Sequence, residues 1–315
     1  MMARFLTKRL AGAFVVLALV SLMSFAIIWL VPGDPTAAFL DTSATPDQVE
    51  RLRRDLGLDQ PIVIQMFDWY GRILQGDLGH SILLNRSVTA AILERLPVTL
   101  SLAGIALVLA LVAGISAGIV AAVNHNRWPD QVVMTVALFG LSVPDFWLGI
   151  MLILLFAVKL GFFPTGGYVP LGENPLGWLG SIVMPAMTLA VIQVGFIARM
   201  TRASMLEILN QDFIRTADAK GLKRTHIMLR HGLPNALVPV LTVAGIVAGA
   251  LLGGAVIIEQ VFSIPGVGRL IIGGILSRDY PVIQGGLLFL AVIYLAVNLV
   301  VDILYAFVDP RVRLE

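Results

Sequence analysis

Residues 215–234 read RTADAKGLKRTHIMLRHGLP, a basic, glycine-punctuated, proline-terminated interruption between two stretches apolar enough to dissolve in lipid. The stretches on either side, residues 183–203 and 235–258, have the length of about 20 residues that carries a helix through a hydrocarbon core of about 30 Å. The same test finds four more runs, at residues 10–31, 97–123, 131–160 and 282–307. The chain has 315 residues, 58% hydrophobic and 13% charged, with mean hydropathy +0.90. Soluble domains carry roughly a quarter charged residues. The expected fold is therefore an all-α polytopic membrane protein with six transmembrane helices. Arg4, Lys8 and Arg9 precede the first run as in a secretory leader, but the run exceeds the about 7–15 apolar residues of a leader core and reads as a retained span.

The same composition narrows function. A net charge of +2 is too small to point to nucleic acid. The absence of Cys removes disulfides, thiolate nucleophiles and Cys-based metal sites. His80, His125, His226 and His231 lie outside HExxH-type spacing, so no metal site is expected. No GxxxxGK[ST] phosphate loop occurs, and the dipeptide Gly-Lys is absent. The chain is thus not expected to bind ATP itself. No nucleophile, base and orienting group can be placed together, so no enzyme is expected either. No internal repeat is visible, which weighs slightly against the inverted-repeat architecture of ion-coupled secondary transporters.

Orientation follows from where Lys and Arg fall in short connections. With the N-terminus inside, the inner segments hold Arg4, Lys8, Arg9, Arg127, Arg199, Arg202, Arg215, Lys220, Lys223, Arg224, Arg230, Arg311 and Arg313. The short outer connections hold only Lys159, Arg269 and Arg278. Both termini and the 215–234 stretch are then expected on the cytoplasmic side, with residues 32–96 outside. Within that outer segment QVERLRRDLGL and PIVIQMFDWYGRILQG show helical apolar spacing among charges, as in short amphipathic helices at the surface. The chain divides on this reading into residues 1–96, one span plus the outer segment, and residues 97–315, a five-span core. Residues 259–281, EQVFSIPGVGRLIIGGILSRDYP, contain an apolar run too short to cross; it either dips into the membrane beside a cavity or forms an ordinary outer loop.

In the inner excursion, residues 204–234, the residues Met205, Leu206, Leu209, Phe213 and Ala217 recur at helical spacing, which predicts an amphipathic helix continuing from the fourth span. Gly221 supplies a left-handed helix end, with Lys220 in the last turn. A second short helix, KRTHIMLR, runs until Pro234 closes it. Such an elbow suits docking into a groove on a soluble partner, although a basic inner loop also serves simply to meet anionic headgroups.

These residues resemble the Glu-Ala-Ala loop of bacterial ABC importer permeases. Arg215, Thr216 and Ala217 stand at the Glu-Ala-Ala positions, Gly221 is the glycine, and His231, Leu233 and Pro234 hold the closing Ile-x-Leu-Pro positions; the Glu and the Ile are absent. RTADAKGL looks like the form used in the dipeptide and oligopeptide branch. Further marks of that branch follow in order: VPGDP (31–35), LGLDQP (56–61), GDLGHS (76–81), RLPVTLSL (95–102), SVPDFWLGI (142–150), GGAVIIEQVFSIPGVGRL (253–270), RDYPVIQG (278–285) and DPRVR. Asp145 departs from the Ser expected after Pro144.

The resemblance implies a type I importer transmembrane fold whose elbow is a coupling helix inserted into an ATPase subunit, in the bacterial inner membrane. It implies a second homologous permease, two ATP-binding subunits that hold ATP and Mg, and an external solute-binding protein. The contact residues would be Arg215, Thr216, Ala217, Asp218, Lys220 and Gly221. The solute would be a di- or oligopeptide, with glutathione, nickel complexes, opines or modified sugars as alternatives within the same fold. From the residues themselves, the polar groups at membrane depth, Asp145, Gln193, Glu259 and Asn298, are candidates for the pathway or for interhelical bonds. Gly245, Gly249 and Gly253, spaced every fourth residue, form a bare stripe for either an intrachain helix or a subunit interface; Gly114 and Gly118 repeat that spacing.

Overall fold

The computed structural model describes residues 2–30, 45–55, 59–81 and 83–308. VPGDP, residues 56–58 of LGLDQP, and the terminal DPRVR with Arg311 and Arg313 lie outside the described residues. The element order is α1 (Met2–Leu30), α2 (Pro46–Asp55), α3 (Ile62–Leu74), an antiparallel pair β1 (His80–Ser81) and β2 (Arg86–Ser87), α4 (Val88–Val123), α5 (Trp128–Ser142), α6 (Asp145–Leu152), α7 (Pro175–Leu209), α8 (Asp212–Ala219), α9 (Arg224–Ile227), α10 (Leu233–Val261), α11 (Val267–Ser277) and α12 (Tyr280–Val308). A π-helical turn, Ile153–Lys159, extends α6, and another, Met228–Gly232, precedes α10.

Among the described residues, five helices are long and apolar enough to cross a membrane. The expected span at 131–160 is not one helix. It is the pair Trp128–Ser142 and Asp145–Lys159, bent by 101°, and counts as a sixth span only if the two halves are taken together. The reason is local. Pro144 disfavours helical geometry at the preceding residue, and Val143 adopts φ −89°, ψ 125°. The second helix starts afresh with the Leu148 N–H donating to the Pro144 carbonyl at 3.0 Å.

Two compact units emerge. The larger comprises residues 99–264 and the part of α12 from residue 296. Its centre is α7, which packs against α5, α6 and α10 and buries Ile182, Leu189, Ile197 and Met205. Lipid tails are as apolar as leucine, so helices in a bilayer associate by close packing rather than by burial from water. The glycines of α4 provide that closeness. A Cβ on Gly114 would lie 2.7 Å from the Ile197 Cβ, and one on Gly118 would lie 2.5 Å from the Thr201 Cβ. The GxxxG spacing of α4 is therefore used within the chain, against α7.

The smaller unit comprises residues 3–98 and 265–295. Val88, Ala91 and Ile92 of α4 pack with Val267, Leu270 and Ile271 of α11 and Val282 of α12. A second cluster joins Phe25, Trp69 and Leu288, with the Trp69 and Phe25 rings 5.7 Å apart. The expected outer amphipathic helices are α2 and α3; α3 turns Trp69 inward and leaves Ile62, Val63 and Phe67 exposed. Residues 259–281 are less irregular than their sequence implies. Glu259 belongs to α10, a turn follows, and α11 supplies an 11-residue helix, too short to cross.

Candidate functional site

The elbow is built from α8, the turn after it and α9. The sequence predicts one helix from the fourth span through Ala217, but α7 ends at Leu209. Asn210 caps it, its N–H donating to the Glu207 carbonyl at 3.3 Å, and Gln211 is extended at φ −74°, ψ 152° before α8 begins. Apolar periodicity survives the break because α8 still buries Ile214 and Ala217, packed with Ile227 and with Leu209 at the end of α7. The KRTHIMLR helix does not end at Pro234 either. Pro234 lies in the first turn of α10, and the turn before it relaxes to π geometry, with the Leu233 N–H donating to the Met228 carbonyl. A proline at the start of a helix lacks only a donor that would be unpaired there anyway.

The end of α8 is held by backbone alone. Gly221 has φ +76°, its N–H donates to the Asp218 carbonyl at 2.9 Å, and the Leu222 N–H donates to the Ala217 carbonyl at 3.4 Å. This paired arrangement is the Schellman end, which places its glycine in the left-handed region. Of the expected contact residues, Arg215, Thr216, Asp218 and Lys220 are exposed. Ala217 is not: it is buried inside the elbow, packed with Ile214 and Ile227. Phe213, which the contact set omits, is 44% exposed and adds an apolar ring to the outer face. The Arg215 Nη1 lies 3.4 Å from the Asp212 Oδ1, with side chains 74% and 95% exposed, so this pair adds little to stability.

Two turns before the end of α7, a buried ionic contact ties that helix to α5. Arg202 donates through Nε and Nη2 to Asp130 Oδ1 and Oδ2 at 2.6 and 2.7 Å. The Asp130 side chain is 4% exposed, and the Asn126 N–H donates to the same Oδ2 at 2.9 Å. The His125 Nδ1 stands 3.0 Å from the Arg202 Nη2. One turn further along α7, Met205 packs with Ala122 of α4 and Ala236 of α10. The base of the elbow is thus clasped to three helices. Sequence reading placed Arg202 only among the basic residues of the inner segments and missed Asp130; an acid in the first turn of α5 was the available signal.

The candidate pathway residues do not form one group. Asp145 opens α6, where its Oδ1 accepts the Phe146 N–H at 2.9 Å, and its other oxygen lies 3.7 Å from where a Cβ on Gly254 of α10 would sit. Gln193 is half-buried on α7, and Asn298 is half-buried on α12. Glu259 is fully buried, and the Thr99 Oγ1 donates to its Oε1 at 2.6 Å. The glycine stripe of α10 also divides. A Cβ on Gly245 would collide with Val301 of α12, Gly249 is buried, and Gly253 has no atom within 4 Å of a Cβ position. Gly245 is an intrachain packing position; Gly253 faces open space.

Long apolar helices, a bent pair and a short helical elbow set between two of the spans define the class: a polytopic α-helical membrane subunit. Residues 114–314 match the binding-protein-dependent transport system inner membrane component family, and residues 2–103 match the N-terminal region of such membrane components. The chain belongs to that family, as the membrane-spanning permease subunit of an ABC transporter. A Brucella melitensis protein that carries the name of a peptide transport system permease is 49% identical over 315 residues, covering 100% of both chains. The glutathione transport system permease protein GsiC of Escherichia coli K12 is 41% identical over 312 residues, 99% of both. The fold is that of type I ABC importer transmembrane subunits. An inward-facing MetNI methionine ABC transporter matches with TM-score 0.58 and 20% identity over 69% of this chain and 95% of that one. An amino acid ABC transporter matches with TM-score 0.51 and 17% identity over 71% and 94%.

Proposed function

We propose that the chain passes di- or oligopeptides, or a peptide-like solute such as glutathione, inward across the bacterial cytoplasmic membrane, with both termini and the elbow inside. The names carried by relatives at 49% and 41% identity support the solute class. Two ATP-binding subunits, holding ATP and Mg, grip the elbow of this chain and that of a second, homologous permease, and an external solute-binding protein delivers the cargo. The observation that carries the reading is the architecture of α8. Its inner face is fixed by Ile214 and Ala217, its end by Gly221, and its outer face presents Phe213, Arg215, Thr216 and Lys220. A rigid, short, amphipathic helix with a mixed apolar and basic outer face docks as a unit into a groove. Its base is clasped to α5, α4 and α10, so a push on α8 reaches the helices of the larger unit through packed contacts and not through a slack loop.

Gly221→Pro tests this. Proline fixes φ near −65° and removes the N–H that closes the turn, so α8 loses its end geometry. The expected outcome is a subunit that still inserts and assembles but whose complex hydrolyses ATP without uptake. Unimpaired peptide uptake by that variant contradicts the role given to the elbow.

A further inference from the structure

Within the smaller unit, α3 has three sides rather than two. Met66, Tyr70 and Ile73 join Trp69 on the side packed against Phe25 of α1 and Leu288 of α12. Asp68 and Arg72, four residues apart and both exposed, occupy a polar side together with Gln65. Between these two lies a second apolar side, formed by Val63, Phe67 and Leu74, which the smaller unit leaves uncovered: Phe67 is 67% and Leu74 87% exposed. Gly71, one turn after Phe67, has no atom within 4 Å of a Cβ position. A helix that rests on a core in water needs one apolar stripe, with charged and polar residues opposite it. The second stripe of α3 has to meet something apolar.

The depth at which α3 is attached identifies it. Both α1 and α12 are long and apolar enough to cross a bilayer, and each measures how far in α3 lies. Phe25 is five residues before the end of α1 at Leu30, about 8 Å along the axis at about 1.5 Å per residue. Leu288 is eight residues after the start of α12 at Tyr280, about 12 Å by the same rise. Ser21, deeper still in α1, shares a hydrogen bond of 2.9 Å with the Tyr70 hydroxyl. The helix is thus seated below the ends of two spans and not on top of them. In-plane amphipathic helices bury their apolar face about 5–10 Å into the boundary between headgroups and acyl chains. At the same level of α1, Leu22 and Met23 are exposed, and the exposed Trp29 stands at its end, where tryptophans mark the bilayer boundary. We propose that α3 is an in-plane membrane helix, whose Val63, Phe67 and Leu74 side takes the acyl chains of the outer leaflet while Asp68 and Arg72 reach headgroups and water. The lipid contact is independent of the solute; only the choice of leaflet rests on the orientation proposed above. The contact moors the segment between α1 and α4 to the bilayer, in addition to the packing of Trp69.

The chain has no Cys, so Phe67→Cys or Leu74→Cys gives a single attachment point in it for an NBD fluorophore, in the assembled transporter with cysteines removed from its other subunits. Copurification of the ATPase subunits checks that each labelled variant assembles, and either position suffices if the other does not. In vesicles whose phosphatidylcholine is brominated near the headgroup end of the acyl chains, emission at both positions should fall about threefold relative to unbrominated lipid. At Asp68→Cys, on the polar side, bromolipid should quench far less, and iodide added outside right-side-out vesicles should quench more than at position 67. Equal bromolipid quenching at positions 67, 74 and 68, or none at 67 and 74, overturns the proposal. Blue-shifted emission at position 67 without bromolipid quenching also overturns it, since a protein neighbour then covers the apolar side. Quenching at position 68 only by iodide trapped inside the vesicles overturns the choice of leaflet and, with it, the orientation.

Discussion

Two Asp–Arg pairs in the larger unit do opposite work. Asp212 and Arg215 lie on the outer face of α8, three residues apart, at 3.4 Å and almost wholly in solvent. Asp130 and Arg202 come from different helices, meet at 2.6 and 2.7 Å through two parallel bonds, and leave the Asp130 side chain 4% exposed. An exposed pair gains little because water already solvates both charges. A buried one is costly to break, since the surviving partner keeps its charge and loses its bonds. The difference separates structure from contact: the clasp holds α7 to α5 so that the base of the elbow is stiff, and the charges on α8 stay available to another protein.

The comparison breaks first at the clasp. Arg202→Gln should strand the Asp130 carboxylate and destabilise the purified complex by about 2 kcal/mol or more, seen as a clear drop in Tm. Asp130→Asn should do much the same. The double variant should cost less than the two singles summed, because both remove one shared interaction. Gly118→Val follows, since its branched side chain meets Thr201 where a Cβ already lies at 2.5 Å. Forcing α4 off α7 should cost about 1–3 kcal/mol, again read from Tm. Gly221→Ala is milder. No atom lies within 4 Å of the new Cβ, so only the φ +76° strain remains, about 1 kcal/mol, with a partial loss of uptake. Smallest in stability is Arg215→Gln, which should leave Tm unchanged and yet lower uptake. A Tm effect in Arg215→Gln as large as that of Arg202→Gln would erase the distinction between the two pairs.

The elbow was legible because its rules are local. Gly221 ends a helix through its own φ, Leu209 and Ala217 lie on the apolar face that the spacing marks, and the apolar runs on both sides fix where the chain must leave the bilayer. Whole spans were legible for the same reason. The bend at Pro144 was hidden because run-length reading does not see backbone geometry, and residues 131–160 are apolar enough to pass as one span despite Asp145. The break at Asn210 was hidden because the apolar spacing carries across it from Leu209 to Phe213 and Ala217, although in α8 it is Ile214 and not Phe213 that is buried beside Ala217. The clasp was out of reach: Asp130 and Arg202 are 72 residues apart, and neither shows its partner on its own helix. Glu259 was legible as a polar group at membrane depth, but its partner was not: the hydroxyl that meets it in the interior comes from Thr99, 160 residues away.

The central claim is that α8 is gripped by an ATP-hydrolysing subunit. Thr216→Cys, on the exposed face of the elbow, tests it most directly through cysteine crosslinking to the ATPase subunits in the intact transporter, with uptake followed in parallel. The account predicts a crosslink that forms in the membrane, depends on the ATPase partner and arrests uptake, in a cysteine that outside reagents cannot reach. A Thr216→Cys side chain modified from the external face, or never joined to an ATPase while transport proceeds, would contradict it.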